Sequence, residues 1–193
     1  PEMLIKLAAN LKEENIDFSI KIIGSGTMKP ALQSLVIEYG VGNLVEFLGN
    51  MKNEDVLSLM RSSHVCLCPS DRNEGWGTVV NEAMANGCTV VGSNLMGSVP
   101  YLIEPNNNGL IFRSLNMSDA TQKVLNLANN YRFREMLALN AYRTITTMWS
   151  SKNAAMEILK LGEQLIENKK PNVPEDGPCS FAFTTKNNWH QIN

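Results

Sequence analysis

Two carboxylates on either side of a glycine-rich turn are the residues of this sequence best placed to do chemistry. Glu74 and Glu82 are separated by seven residues, and Gly75 and Gly77 follow the first of them. Glycines let backbone amides turn toward a ligand without a Cβ in the way. A carboxylate at a loop tip can accept hydrogen bonds from sugar hydroxyls, and one further into a helix can hold both hydroxyls of a ribose. The spacing therefore suggests a sugar-nucleotide site, although the helix dipole alone also favours acidic residues near a helix start.

Two strands and a short helix must position this turn. The apolar residues of 65–68 and 88–93 are continuous rather than alternating, as in strands that are covered on both faces of a parallel sheet. Between them, residues 78–86 predict a helix that ends at Gly87 and carries one apolar stripe, formed by Val79, Val80, Ala83 and Met84. Glu82 is then on the side that faces a ligand. Ligands of open parallel sheets bind outside the carboxyl ends of the strands, which is where this turn lies.

The whole segment EGWGTVVNEAMANGCTVVGS resembles the motif of retaining glycosyltransferases of the family-4 type. In that family EGFG, a short apolar helix ending in EAMA.G and a VV.S strand occur in this order. Trp76 stands where phenylalanine is usual, and the matching residues are Glu74, Gly75, Gly77, Glu82, Ala83, Met84, Ala85, Gly87, Val90, Val91 and Ser93. The resemblance covers residues 1–167. It implies an α/β fold with a Rossmann-like parallel sheet and helices on both faces, the C-terminal, donor-binding half of a GT-B enzyme.

The resemblance also implies roles. Glu74 contacts the donor sugar and is the expected catalytic residue, the amides of residues 76–79 receive sugar or phosphate oxygens, and Glu82 holds the ribose. The donor is expected to be a UDP- or GDP-sugar. Metal and other cofactors are not expected, because the helix dipole, backbone amides and cationic side chains neutralise the leaving diphosphate. The predicted donor-binding residues are Gly24, Gly26, Met51, Asn53, Glu74, Gly75, Trp76, Gly77, Thr78, Val79 and Glu82.

Two earlier turns belong to this set by resemblance alone. Gly24 and Gly26 follow the strand predicted over 18–23, where a plain strand-to-helix turn is an equally good interpretation. Met51 and Asn53 follow the strand predicted over 44–48 and would meet the nucleobase, but asparagine is also a preferred N-cap for the helix predicted over 53–62.

The loop predicted over residues 94–100 departs from the family pattern. It carries Met96-Gly97 where Gly-Gly is common, and Pro100-Tyr101 where glutamate commonly follows the proline. Only a backbone contact at Gly97 therefore carries over from the family.

The remaining patterns predict a compact domain over residues 1–168 and a mobile tail over 169–193. Ser118 is the expected N-cap of a helix, and Phe181, Phe183 and Trp189 in the tail could dock on a surface. The further predicted elements are helices over 1–15, 29–39, 118–130, 133–148 and 151–168, a turn over 106–109 and a strand over 110–112.

Composition narrows the class of protein. With 193 residues, of which 44% are apolar, the chain can bury one ordinary core. A net charge of −2 without a long basic run argues against nucleic acid as a partner. No signal peptide or bilayer-length apolar run is visible, so we expect a cytoplasmic protein that touches the inner face of the membrane only through another domain. Cys66, Cys68, Cys88 and Cys179 have no zinc-ligand spacing with His64 or His190 and predict free thiols.

The sequence begins at Pro1, so we expect a fragment or a processed chain. By resemblance, the first strand of this half and the arginine and lysine that bind the diphosphate would precede it, which would leave unpaired edges inside the sheet. Arg72 could approach a phosphate, but a solvated loop arginine is the simpler interpretation.

The expected activity is sugar transfer with retention in glycan or cell-envelope polysaccharide synthesis. The acceptor, a glycan or a lipid-linked molecule, would bind the missing half, so this chain alone would be inactive. The alternatives are a non-catalytic nucleotide-sugar-binding module and a GT-B sugar-nucleotide epimerase.

Overall fold

The computed structural model describes residues 1–182, which form eight helices and five strands. The predicted strands are all present, and helix ends differ from the predictions by a few residues. In chain order the elements are α1 (Glu2–Glu13), β1 (Ile20–Ile23), α2 (Lys29–Glu38), β2 (Val45–Gly49), α3 (Asn53–Ser62), β3 (Val65–Cys68), α4 (Val79–Ala85), β4 (Thr89–Ser93), α5 (Val99–Leu102), β5 (Leu110–Phe112), α6 (Met117–Asn129), α7 (Tyr131–Thr146) and α8 (Ser151–Ile166). None of the described helices is long and apolar enough to cross a bilayer.

All strand pairs are parallel, which confirms the α/β fold, but the strands form two sheets rather than one. One sheet has the order β1-β2 and the other β3-β4-β5. Within residues 1–182, β1, β2, β3 and β5 each pair on one side only, and β4 is the central strand of the larger sheet. In the larger sheet every residue of β4 is buried, as its continuous apolar sequence predicts. The carboxyl ends of β3, β4 and β5 meet at one edge, and this edge carries the glycine-rich turn.

Helix α1 joins the two sheets because different residues of its apolar stripe belong to different cores. Leu7 and Leu11 pack in a cluster with Val91, Leu110 and Phe112 of the larger sheet. Ile5 and Ala8 pack in a second cluster with Val36 of α2, with Val41 of the loop that follows α2, and with Val45 of β2. All of these side chains are less than a tenth exposed. The stripe of one amphipathic helix thus holds both sheets in a common hydrophobic layer.

Helix α4 confirms the predicted apolar stripe. Val80, Ala83 and Met84 are fully buried, and Val79 packs against the same cluster while half-buried. The helix ends where Gly87 adopts a φ of 74°, a left-handed conformation that favours glycine. Glu82 lies away from the buried side.

Two helix starts differ from the predictions because asparagines upstream of them act as caps. The predicted cap Ser118 lies inside α6, and the Asn116 side chain instead accepts a hydrogen bond from the Asp119 N–H at 3.0 Å. Similarly, Asn130 accepts from the Phe133 N–H at 3.1 Å, so α7 begins before residue 133. The predicted cap role of Asn53 is wrong, since α3 begins at Asn53 itself and is preceded by Lys52. A cap is a geometric role, and neighbouring polar residues compete for it.

Replacing the true cap should therefore cost stability, and replacing the predicted cap should not. We expect Asn116→Ala to lower the free energy of unfolding by about 1 kcal/mol, because the Asp119 N–H loses its acceptor. Ser118→Ala, an exposed position within α6, should change it by less than about 0.5 kcal/mol. Urea unfolding of both variants measures the difference, and a larger loss for Ser118→Ala would reverse the assignment.

The predicted loop over 94–100 is wrong at its end, because Val99 and Pro100 begin helix α5. Proline is compatible with a first helical turn, where its missing N–H would have no partner.

The first part of the predicted tail contacts the domain. The Asn172 N–H donates to Gln164 Oε1 at 2.5 Å, and buried Gly177 packs against Met148. Phe181 is 81% exposed, and Phe183, Trp189 and His190 lie outside the described residues.

Candidate functional site

The segment between β3 and α4 contains a tight turn that presents Glu74. The Asp71 carboxylate accepts from the Asn73 N–H at 2.9 Å and from the Asn73 side-chain amide at 3.1 Å. The Glu74 N–H then donates to the Asp71 carbonyl at 3.1 Å. These local bonds close the turn without using the Glu74 side chain, which is exposed. We call the residues that follow the turn, 74–78, the glycine loop.

A second loop, residues 96–98 between β4 and α5, packs directly on the glycine loop. We call it the covering loop. The Ser98 N–H donates to the Trp76 carbonyl at 2.8 Å, and Ser98 Oγ donates to the Gly77 carbonyl at 3.3 Å. Gly97 lies so close that a Cβ built on it would fall 1.7 Å from the Gly75 carbonyl oxygen. The predicted contact of the Gly97 backbone with the donor stays a prediction, and the structure shows this residue packed against the glycine loop. No local sequence signal pointed to Ser98.

The glycine loop presents a run of backbone donors. Within residues 1–182, none of the five N–H groups of residues 75–79 donates to a protein acceptor. The φ of Gly77 is 79°, so this turn needs a left-handed residue. Backbone N–H groups are obligatory donors that water or a ligand must satisfy when the protein does not. The loop can therefore receive several oxygen atoms of one ligand.

Both predicted carboxylates lie beside these donors and are without a protein partner in the described part of the chain. Glu82 is half-buried on α4 and Glu74 is exposed at the loop tip, and neither carboxylate accepts a hydrogen bond or forms an ion pair within residues 1–182. Polar groups that lose water on folding are normally hydrogen-bonded. A half-buried Glu82 without a donor can therefore accept from ligand hydroxyls.

Trp76 connects the glycine loop to distant parts of the fold. Its ring centroid lies 5.7 Å from that of Tyr101 in α5 and 6.0 Å from that of Trp149 after α7. The Trp76 Nε1–H donates to Asn81 Oδ1 of α4 at 2.8 Å. We call Trp76, Tyr101 and Trp149 the aromatic cluster. Sequence reasoning placed Trp76 in the site but missed Tyr101, Trp149 and Asn81 as its neighbours, because no spacing pattern links residues so far apart.

The other predicted site residues lie on the smaller sheet. The Gly24 N–H donates to the Gly49 carbonyl at 2.7 Å, which joins the loops after β1 and β2. The Gly26 carbonyl accepts a hydrogen bond from the Lys29 N–H at the start of α2. After β2, Met51 is half-buried and Asn53 is exposed. The structure therefore places the predicted residues in two groups, at the carboxyl ends of the two sheets. Gly24 and Gly26 also serve as a strand-to-helix turn.

The four cysteines are free thiols, as predicted. Burial raises the pKa of Cys88 well above the usual value for a thiol. The pKa of Cys68 is also raised, first by its hydrogen bond with Cys66, whose Sγ lies 3.8 Å away, then by burial and by nearby charges that include Glu74. The same hydrogen bond lowers the pKa of Cys66. Among residues 1–182, no cluster of three or more histidine, cysteine or acidic side chains could hold a metal ion.

Comparison with known proteins identifies the family and the fold of the chain. The model of the family "Glycosyl transferases group 1" matches residues 1–144. An uncharacterized glycosyltransferase of Methanocaldococcus jannaschii, MJ1178, is 30% identical over 154 residues, which cover 80% of this chain and 43% of the relative. The chain thus spans less than half the length of this curated relative.

Solved structures show the same fold. The C-terminal domain of a group 1 glycosyl transferase, LpcC from Francisella tularensis, superposes with a TM-score of 0.71 at 25% identity and covers 78% of this chain and 79% of its own. A TarM variant from S. aureus, solved with fondaparinux, α-GlcNAc-glycerol and UDP, has a TM-score of 0.73 at 22% identity and covers 81% of this chain and 31% of its own. The chain therefore has the fold of the C-terminal domain of a GT-B enzyme and belongs to the group 1 glycosyltransferases.

Proposed function

We propose that this chain is the donor-binding half of a retaining glycosyltransferase, which moves a sugar from a UDP- or GDP-sugar to an acceptor held elsewhere in the protein. The observation that carries the proposal is the run of N–H groups at residues 75–79 that have no protein acceptor within residues 1–182, beside two carboxylates that have no partner in the same range. A sugar nucleotide complements this pattern, since its hydroxyls donate to carboxylates and its sugar and phosphate oxygens accept from amides.

Each part of the site then has a role. Glu74 contacts the donor sugar, the amides of residues 76–79 bind its oxygens, and Glu82 holds the ribose hydroxyls. The UDP bound to TarM, which shares this fold, supports a nucleotide ligand. Met51 and Asn53 contact the nucleobase of the donor from the smaller sheet, and Gly24 and Gly26 lie near the donor. These assignments follow the family resemblance.

In the proposed reaction, the bond between the anomeric carbon and the diphosphate oxygen breaks while an acceptor oxygen bonds to the same face of the sugar. The acceptor proton passes to the leaving diphosphate. The amides of the glycine loop stabilise the charge that develops on the diphosphate, and cationic side chains assist them without a metal. Arg72, which is exposed and forms no ion pair within residues 1–182, is one cation that can approach the diphosphate.

The finer parts of the proposal concern the full protein. The acceptor is a glycan or a lipid-linked molecule in cell-envelope polysaccharide synthesis, and transfer takes place in the cytoplasm. The chain by itself binds the donor but does not transfer it.

A non-catalytic nucleotide-sugar-binding module is the second candidate. One observation favours it: in the described part of the chain, no arginine or lysine side chain hydrogen-bonds to the glycine loop or forms an ion pair with Glu74 or Glu82. Transfer needs compensation of the diphosphate charge, whereas binding alone requires less of it. Transfer activity of the full-length protein separates the two candidates.

Calorimetric titration of the chain with UDP and with GDP tests donor binding. We expect one nucleotide to bind, and Glu82→Ala to weaken that binding at least tenfold, because two ribose hydroxyls lose their charged acceptor. Glu163→Ala, an exposed glutamate of α8, is the matched control and should bind like the wild type. A chain that circular dichroism shows to be folded but that binds neither nucleotide would contradict the proposal. Equal affinity in Glu82→Ala would contradict the ribose contact.

A further inference from the structure

The glycine loop has few attachments to the rest of the domain. Its own N–H groups at residues 75–78 have no protein acceptors within residues 1–182. Two of its carbonyls, those of Trp76 and Gly77, accept from Ser98 of the covering loop. At the end of the loop, the Gly77 and Thr78 carbonyls accept from the Val80 and Glu82 N–H groups of α4, at 3.1 Å and 3.0 Å. The residues before Gly77 have fewer backbone bonds, so their conformation depends more on side-chain contacts.

Trp76 provides those side-chain contacts. Its ring packs in a tilted arrangement against Tyr101, with 36° between the ring planes, and against Trp149, with 46°. Its Nε1–H is held by Asn81. The two aromatic partners belong to different elements: Tyr101 lies in α5, directly after the covering loop, and Trp149 follows α7 and packs against the core below α4. Both partners are half-buried, and Trp76 itself is 38% exposed.

Tyr101 occupies the position after Pro100 where the family commonly has glutamate. A tyrosine ring there supplies packing area to Trp76, and it cannot supply the charge of a carboxylate. The residue that departs from the family pattern, Tyr101, is thus also a residue that contacts the glycine loop. Trp76, which stands where phenylalanine is usual, adds an N–H that donates a hydrogen bond to Asn81 Oδ1.

We propose that the aromatic cluster holds the glycine loop in its ligand-binding conformation, so that Trp76 and Tyr101 are positioning residues for the donor. This inference rests on the proposed function. Neither ring needs to touch the nucleotide, since Trp76 acts through the direction of the amides on either side of it, and Tyr101 acts through Trp76. Losing one aromatic pair should weaken binding because the loop must then be ordered at the expense of binding free energy.

The test compares Tyr101→Ala and Trp76→Ala with Trp76→Phe in the complete chain. We expect Tyr101→Ala to weaken binding of UDP or GDP about tenfold and Trp76→Ala at least as much. Trp76→Phe keeps a ring in the cluster and loses only the bond to Asn81, so its affinity should stay within about threefold of the wild type. Tyr142→Ala, an exposed tyrosine of α7, is the matched control and should bind like the wild type.

A second readout needs no ligand. The Ser98 N–H, which donates to the Trp76 carbonyl, should exchange with solvent faster in Tyr101→Ala and Trp76→Ala than in the wild type, as seen by nuclear magnetic resonance. Amides of the buried strand β4 should exchange at unchanged rates. In Trp76→Phe, both the nucleotide affinity and the Ser98 exchange rate should be close to those of the wild type. This result distinguishes loop positioning from general destabilisation.

The outcomes separate the inference from the proposed function. Folded alanine variants with wild-type affinity and unchanged Ser98 exchange would overturn the role of the aromatic cluster and leave donor binding intact. If the wild type binds neither nucleotide, the proposed function fails, and the Ser98 exchange rates still decide whether the cluster holds the loop.

Discussion

Replacing Gly97 by alanine is expected to destabilise the domain by about 3 kcal/mol and to abolish nucleotide binding. The new Cβ would fall 1.7 Å from the Gly75 carbonyl oxygen, 2.8 Å from its carbon and 3.4 Å from the Trp76 Cα. All three atoms belong to the backbone, so no side chain can rotate away. The covering loop and the glycine loop must separate, and both hydrogen bonds from Ser98 are then lost.

Urea unfolding gives the stability of this variant, and calorimetry gives its affinity. Gly75→Ala is the matched control for stability, because it lies on the other side of the same contact and a Cβ there meets no atom within 4 Å. Its free energy of unfolding should change by less than about 1 kcal/mol. Equal stability of Gly97→Ala and wild type would show that the two loops are not packed as described.

Replacing Asn108 by alanine is expected to lower the free energy of unfolding by about 3 kcal/mol. The side chain is 4% exposed and makes three hydrogen bonds. It accepts from the Glu104 N–H at 2.8 Å and donates to the Leu102 carbonyl at 2.9 Å and to Thr144 Oγ1 at 3.0 Å. Alanine leaves the Glu104 N–H, the Leu102 carbonyl and the Thr144 hydroxyl without these bonds. Some of these groups lie where water cannot reach them, at the point where α5, β5 and α7 meet.

The neighbouring Asn107 provides the control in the same turn. It is exposed, and its side chain bonds to Glu104 Oε2 and to Asn140 at the surface. Asn107→Ala should therefore cost less than about 1 kcal/mol, because water replaces the lost partners. Thermal unfolding of both variants under one buffer condition gives the comparison, and similar losses would contradict the anchoring role of Asn108.

Asn108 also shows why the turn over 106–109 was only partly predictable. A run of asparagines before glycine indicates a turn, because asparagine and glycine suit turn conformations. The structure confirms the turn, with Asn106 at a φ of 66°. Which asparagine is buried depends on where Thr144 of α7 lies, and the spacing of residues in the turn contains no information about that.

The sequence by itself determined the α/β class, the positions of all five strands and the family. Buried parallel strands require continuous apolar runs, and α4 requires an apolar stripe, so both leave local patterns. The motif from Glu74 to Ser93 is local for the same reason, since one strand, one turn, one helix and the next strand build it. The ligand roles of Glu74 and Glu82 remain predictions that rest on this motif.

Only the tertiary structure decided the division into two sheets, the choice of helix caps and the surroundings of the glycine loop. Strand neighbours, the partners of Trp76 and the contact between Gly97 and Gly75 join residues that are distant in sequence. Such contacts are selected by packing of the whole chain, in which any aromatic or polar residue has many partners compatible with its local pattern. Local patterns therefore predicted the glycine loop, and long-range packing determined which residues contact it.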